Sequence, residues 1–98
     1  MIDVKGKWTL ITGGCRGVGR LTAIEMAKLG ANIILQGRDK AHAEPVMEEL
    51  KKYGVEVRAV GCNLENEAEI DAALAEIDSW GVQVDLVFNN ACLMSHYF

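Results

Sequence analysis

The sequence predicts an α/β fold: a doubly wound parallel sheet of four strands in spatial order 3-2-1-4, with three helices. Three observations carry that expectation. Short apolar runs rich in strand formers alternate with longer stretches of helical spacing. A glycine stands where each helix should stop. Strand–helix alternation of this kind implies right-handed crossovers and a parallel sheet, whose apolar strands need cover on both faces. Helices one and two are expected on one face and helix three on the other.

The elements follow in order. Lys7–Thr12 (KWTLIT) is a compact apolar run, and Gly13–Gly19 is a turn holding four glycines. From Val18 to Leu29, Leu21, Ile24 and Ala27 share a helical face, and Gly30 suits the position after the last turn. Asn32–Gln36 (NIILQ) reads as a buried strand. Asp39 is placed to cap a second helix reaching about Tyr53, with Gly54 ending it. Pro45 either kinks that helix or marks its true first turn near Glu44. Val55–Val60 is the third strand, and Asn66-x-x-Glu69 has the form of a capping box. Ile70, Ala73, Leu74 and Ile77 then keep helical spacing up to Gly81, and Val84–Asn89 (VDLVFN) is the fourth strand.

Composition bounds the rest. Ninety-eight residues allow one domain over 1–98, and 50% apolar with 24% charged residues is ordinary for a globular protein. No stretch approaches the ~18 uninterrupted apolar residues of a membrane span, and MIDVKGKW lacks a secretory apolar core. Cys15, Cys62 and Cys92 make an odd count without a CxxC pair, so a reducing, cytoplasmic setting without metal is expected. Residues 1–53 carry nine Lys/Arg against six Asp/Glu, whereas residues 54–98 carry one against eight. The net charge of -4 argues against a duplex nucleic acid partner, although the basic half suits a small anion.

The turn Thr12-Gly13-Gly14-Cys15-Arg16-Gly17-Val18-Gly19 lies between the first strand and the first helix. Glycines let backbone approach a ligand closely, and a helix start offers N–H groups and the positive dipole end to a phosphate. Gly13, Gly17 and Gly19 give GxxxGxG, which is neither GxGxxG nor the GK[ST] ending of a P-loop. A glycine turn with a purely structural role remains the plain alternative.

The turn resembles the TGxxxGxG cofactor turn of the short-chain dehydrogenase/reductase family. Asn89-Asn90-Ala91-Cys92 resembles that family's NNAG, and Cys62-Asn63-Leu64 is similar to its Asp-Val or Asp-Leu pair beside the adenine. Order and spacing agree across essentially the whole chain. The resemblance implies a Rossmann-like fold and a dinucleotide site at Thr12, Gly13, Cys15, Arg16, Gly17, Val18, Gly19, Gly37, Arg38, Asn63, Leu64, Asn89 and Ala91. Two residues depart from the pattern. Cys92 adds a side chain where the family keeps backbone bare, and Asn63 has no charge, so it is either an adenine contact or a turn residue before Asn66.

Charge bears on which dinucleotide. In dinucleotide folds an acid ending strand two binds the ribose 2′-OH. Strand two here ends Gln36-Gly37-Arg38, so glycine holds that place and arginine follows. Arginine forms a charge-assisted fork to phosphate, and Arg16 sits where NADP-preferring members resembling this chain carry a base. NADP(H) is therefore expected to bind better than NAD(H). A solvated Arg38 is the alternative, and Asp39 is expected to point into its helix turn as a cap.

Cys15 is either a turn filler or a thiolate favoured at a helix start. His42 and His96 read as surface groups, Glu48 and Lys52 as an i,i+4 pair, and Trp8 and Trp80 as packing residues. The resembled family's chemistry needs a Tyr-x-x-x-Lys pair, a serine and a further asparagine beyond strand four. No Tyr-x-x-x-Lys occurs in these 98 residues. The expectation is thus the cofactor-binding half of an oxidoreductase, a fragment or truncated gene product, inactive alone. The alternatives are a standalone nucleotide-binding or regulatory module, and an S-adenosylmethionine-dependent methyltransferase-like domain. The fourth strand should be an edge, so a homo-oligomer through VDLVFN and the tail Cys92–Phe98 is expected.

Overall fold

A computed structural model describes residues 3–90. Its order is β1 (Trp8–Thr12), α1 (Gly17–Lys28), β2 (Asn32–Gly37), a 3-10 turn (Lys40–Ala43), α2 (Glu44–Lys51), β3 (Val57–Gly61), α3 (Glu67–Ser79) and β4 (Val84–Asn89). The strands form one parallel sheet in the order β3-β2-β1-β4, as expected.

The sheet divides the core into two layers. On one face, Ile11, Ile33 and Leu35 pack with Ala23 and Ala27 of α1 and with Val46 and Leu50 of α2. On the other, Trp8, Ile34 and Val60 pack with Ala73 and Ile77 of α3. Alternation along β2 therefore sends Ile33 and Leu35 one way and Ile34 the other, and all three are fully buried. A strand covered on both faces cannot alternate apolar with polar residues, which explains the unbroken apolar run Ile33-Ile34-Leu35. Arg58 on β3 lies over Trp8 and Trp80, with its guanidinium carbon 6.0 Å and 5.1 Å from the ring centres. Its flat cation thereby closes the α3 layer against both indoles.

Several local expectations are corrected. The second helical segment is not continuous: Asp39 Oδ1 accepts the His42 N–H at 3.1 Å and caps the 3-10 turn. Pro45 then lies in the first turn of α2, where its missing N–H costs nothing. Glu48 pairs with Lys51 at 3.2 Å rather than with Lys52. β3 begins at Val57, because Glu56 N–H is accepted by Asn32 Oδ1 while its carbonyl receives Ile33 N–H, ahead of the regular ladder. The capping box is half formed. Asn66 Oδ1 accepts Glu69 N–H at 3.1 Å, but the Glu69 carboxylate reaches on to Asn63 N–H at 3.0 Å.

Among the described residues, β4 is an edge strand along its outer side. Its register against β1 slips between Trp8↔Val84 and Thr9↔Leu86, a bulge that takes up Asp85. Val87 is 64% exposed and Phe88 38% exposed.

Candidate functional site

The carboxyl ends of β1, β2 and β3 open into one cleft of about 720 Å³. Its walls are the glycine turn, the end of β2 with the following 3-10 turn, and the loop after β3. In an open sheet wound outward from β1, ligands bind outside these strand ends where the winding reverses. That reversal lies between β1 and β4, beside the glycine turn.

Gln36 holds the three walls together. Its side chain is buried, with Oε1 accepting Gly13 N–H at 2.8 Å. Its Nε2 donates to the Cys62 carbonyl at 2.9 Å and to the Gly37 carbonyl at 3.2 Å. The backbone adds Gly14 N–H to the Gln36 carbonyl at 3.1 Å and Cys62 N–H to the Gly37 carbonyl at 2.9 Å. One carboxamide thus binds the start of the turn to the ends of β2 and β3.

The turn is shaped around its glycines. Gly13 and Gly17 adopt φ of 63° and 60°, a region that favours glycine. Gly19 is different: a Cβ there would overlap the Gly13 carbonyl, so this glycine serves close packing inside the turn. Asn90 Nδ2 donates to that same carbonyl at 3.3 Å, and Thr12 Oγ1 donates to Asn89 Oδ1 at 3.0 Å. The β4 end is in this way fastened to the turn. Among the described α-helices, α1 alone starts with neither a side-chain cap nor an acid in its first turn. Its positive dipole end is left to the cleft side.

Gly13, Cys15, Arg16, Gly37, Arg38, Asn63 and Leu64 of the expected set all line the cleft. Thr12 and Asn89 pair beside it across β1 and β4. Gly17 and Val18 are exposed at the start of α1, and Gly19 is buried beneath the turn. Ala91 lies outside the described residues, as do Cys92, His96 and the rest of the tail. The cleft also contains Gln36, His42, Cys62 and Glu65, none of which the sequence reading placed there. Gln36 had one visible signal, a polar residue closing an apolar strand.

Two expected alternatives resolve. Asn63 Oδ1 accepts Glu65 N–H at 2.9 Å, so its carboxamide oxygen serves the turn while the residue still faces the cleft. Burial pushes the Cys15 thiol above its ordinary value and the Asp39 carboxylate adds to this, so the thiolate expected at a helix start is not favoured. Cys15 is a filler with a definite place: a Cβ at Gly37 would stand 2.7 Å from its Sγ. The Cys62 thiol is raised as well, by burial first and by Glu69, against a lowering hydrogen bond from Gln36.

A nearly bare backbone turn at an open sheet's switch point defines a nucleotide-site class of α/β domain. Residues 7–97 match the short chain dehydrogenase family, and the chain belongs to it. It is 38% identical over 91 residues to the 3-oxoacyl-(acyl-carrier-protein) reductase of Aquifex aeolicus, covering 92% of this chain and 37% of that protein. It superposes on the L-sorbose reductase of Gluconobacter frateurii, solved with NADPH and L-sorbose, at a TM-score of 0.84. Identity there is 32%, over 93% of this chain and 36% of that one. A xylitol dehydrogenase solved with NAD+ gives a TM-score of 0.83 at 27% identity, over 92% and 35% of the two chains. The chain thus spans little more than a third of the relatives it matches. Nothing in these matches supports a methyltransferase-like domain.

Replacing Gln36 by Leu leaves the Gly13 N–H and the Cys62 carbonyl without their partner. The expected loss is about 1–3 kcal/mol for such orphaned buried groups. Thermal unfolding followed by circular dichroism should show a midpoint lower by roughly 5–15 °C. An unchanged midpoint would mean that the carboxamide does not hold the walls.

Proposed function

We propose that this chain is the NADP(H)-binding half of an oxidoreductase that moves hydride between a nicotinamide cofactor and a carbonyl or alcohol. When bound, the nicotinamide supplies or accepts the hydride. The 98 residues hold and orient the dinucleotide. The relatives divide between NADPH and NAD+, so the preference is argued from this chain's own side chains.

The observation that carries it is the wall at the end of β2. The place for an acid is held by Gly37, where an added Cβ would stand 2.7 Å from Cys15 Sγ and displace it. The next acid, Asp39, is engaged by His42, through its N–H to Oδ1 and its Nδ1 to Oδ2, each at 3.1 Å. Arg38 and Arg16 stand exposed on the cleft's rim. Two guanidiniums facing a wall whose acid is engaged suit a ribose 2′-phosphate. In this reading the first turn of α1, with Gly17, Val18 and Gly19, receives the pyrophosphate. Asn63 and Leu64 flank the adenine, and Thr12 and Asn89 line the approach to the nicotinamide half.

Titration calorimetry with NADPH and NADH tests the preference. NADPH should bind more tightly, and Arg38→Asp should weaken it by about 1–3 kcal/mol. Equal affinities in the unaltered chain would contradict the proposal. In the same samples, NADPH oxidation with ketones and aldehydes should match the protein-free rate, since no Tyr-x-x-x-Lys proton donor occurs here. A non-catalytic module would bind the dinucleotide equally. A neighbouring reading frame encoding Tyr-x-x-x-Lys favours the split or broken dehydrogenase.

We further propose a cytoplasmic homo-oligomer built on β4, whose outer edge and exposed Val87 and Phe88 form a template for pairing. Light scattering at micromolar concentration should give a mass above that of one chain, and deleting residues 93–98 should reduce it. A monomer of the intact chain would contradict this.

A further inference from the structure

The β2 end carries a residue that the 2′-phosphate reading leaves unused. His42 lines the same cleft as Arg38 and is fixed at two points by one carboxylate. Its backbone N–H goes to Asp39 Oδ1 and its Nδ1 lies 3.1 Å from Asp39 Oδ2. That contact puts a carboxylate beside Nδ1, and Nε2 is the other ring nitrogen. The imidazolium donates from both nitrogens, so one N–H can face Asp39 while the other meets a ligand. A phosphate oxygen requires the donor.

Resting on the NADP(H) reading above, we propose that His42 is a specificity-determining residue, a second cation beside Arg38 that donates from Nε2 to a phosphate monoester on the ribose 2′ position. Binding of a 2′-phosphorylated nucleotide by the imidazolium then takes up a proton. A nucleotide lacking the 2′-phosphate gains nothing from that proton.

The surrounding charges are consistent with this assignment. Arg38 precedes Asp39 on the same segment, and Lys40 is drawn away to Glu76 of α3. Arg16 and Cys15 face the cleft from the glycine turn, and Glu65 and Cys62 from the loop after β3. Asp39 is the carboxylate in contact with the imidazole. Glu65 belongs to the opposite wall. Histidine is the side chain whose charge ordinarily changes between about pH 5 and 8. The sign follows directly. A group that gains its proton on binding strengthens binding at low pH, and the gain is lost as pH rises.

The test uses adenosine 2′,5′-bisphosphate and 5′-AMP as probes of the adenosine half, by calorimetry at about pH 6 and about pH 8. Repeating each titration in buffers of different ionisation enthalpy counts the protons exchanged. In the unaltered chain the bisphosphate-to-AMP affinity ratio should be about tenfold larger at the lower pH, the scale of one charge-assisted bond. Net proton uptake should accompany the bisphosphate only. The phosphate's own titration, near pH 6, would release protons on meeting arginine and offset the uptake there, whereas at about pH 8 the phosphate is already dianionic and the uptake reports the histidine. His42→Gln should leave a ratio that does not rise at low pH, with no uptake. A bisphosphate preference that His42→Gln retains with its pH dependence, or one without proton uptake, overturns the assignment of His42 while leaving Arg38 standing. Equal affinities for the two probes at both pH values overturn the 2′-phosphate reading and this one together.

Discussion

The Gln36 carboxamide sits where the ends of β1, β2 and β3 converge, and the cleft depends on it. A glycine-rich turn has little intrinsic preference for one shape, because each glycine widens the set of backbone conformations open to it. What fixes this turn is a set of bonds at its start. Gly13 N–H is held by Gln36 Oε1, Gly14 N–H by the Gln36 carbonyl, and the Gly13 carbonyl by Asn90. The same side chain reaches across to the Cys62 carbonyl. Both ends of the carboxamide are therefore used, as a buried polar group requires. Because an unpaired buried amide is costly, this is a constraint that favours one arrangement of three loops over slack alternatives.

From that constraint the electrostatics follow. With the turn fixed, Cys15 is placed against Gly37, and the β2 end carries no acid at the position that would bind a ribose diol. Asp39, two residues on, is engaged by His42, whose N–H it caps. The cleft is left with guanidiniums on its rim and a helix start without a competing carboxylate. Small side chains and bare backbone thus decide the sign of the site more than any single charged residue does.

The sheet order, the helix positions and the glycine turn were legible because their signals are local. Periodicity, caps at Asp39 and Asn66, and glycines after the helices all lie within a few residues of the structure they determine. The division of the second helical segment was legible only as a choice, since Pro45 fits either a kink or a first turn until the 3-10 turn before it is seen. Gln36 was legible only as a polar residue closing an apolar strand, without its role. Its partners lie 23 and 26 residues away, and a strand-ending glutamine looks the same whether it faces solvent or three converging loops. His42 was half legible: its spacing of three from Asp39 suggests a local pair, but its place in the cleft needs the β2 end and the β3 loop brought together. Glu69 shows the same limit, since its reach to Asn63 depends on how the loop after β3 turns.

The most direct test of the account is where a nucleotide lands. Amide-proton spectra of isotope-labelled protein, recorded as NADPH is added, report the perturbed residues one by one. The account predicts that the shifts concentrate at Gly13–Gly19, at Gly37–His42 and at Cys62–Glu65, with the amino-terminal ends of the strands unmoved. Shifts confined to the outer faces of α2 and α3, or none at saturating NADPH, would contradict it.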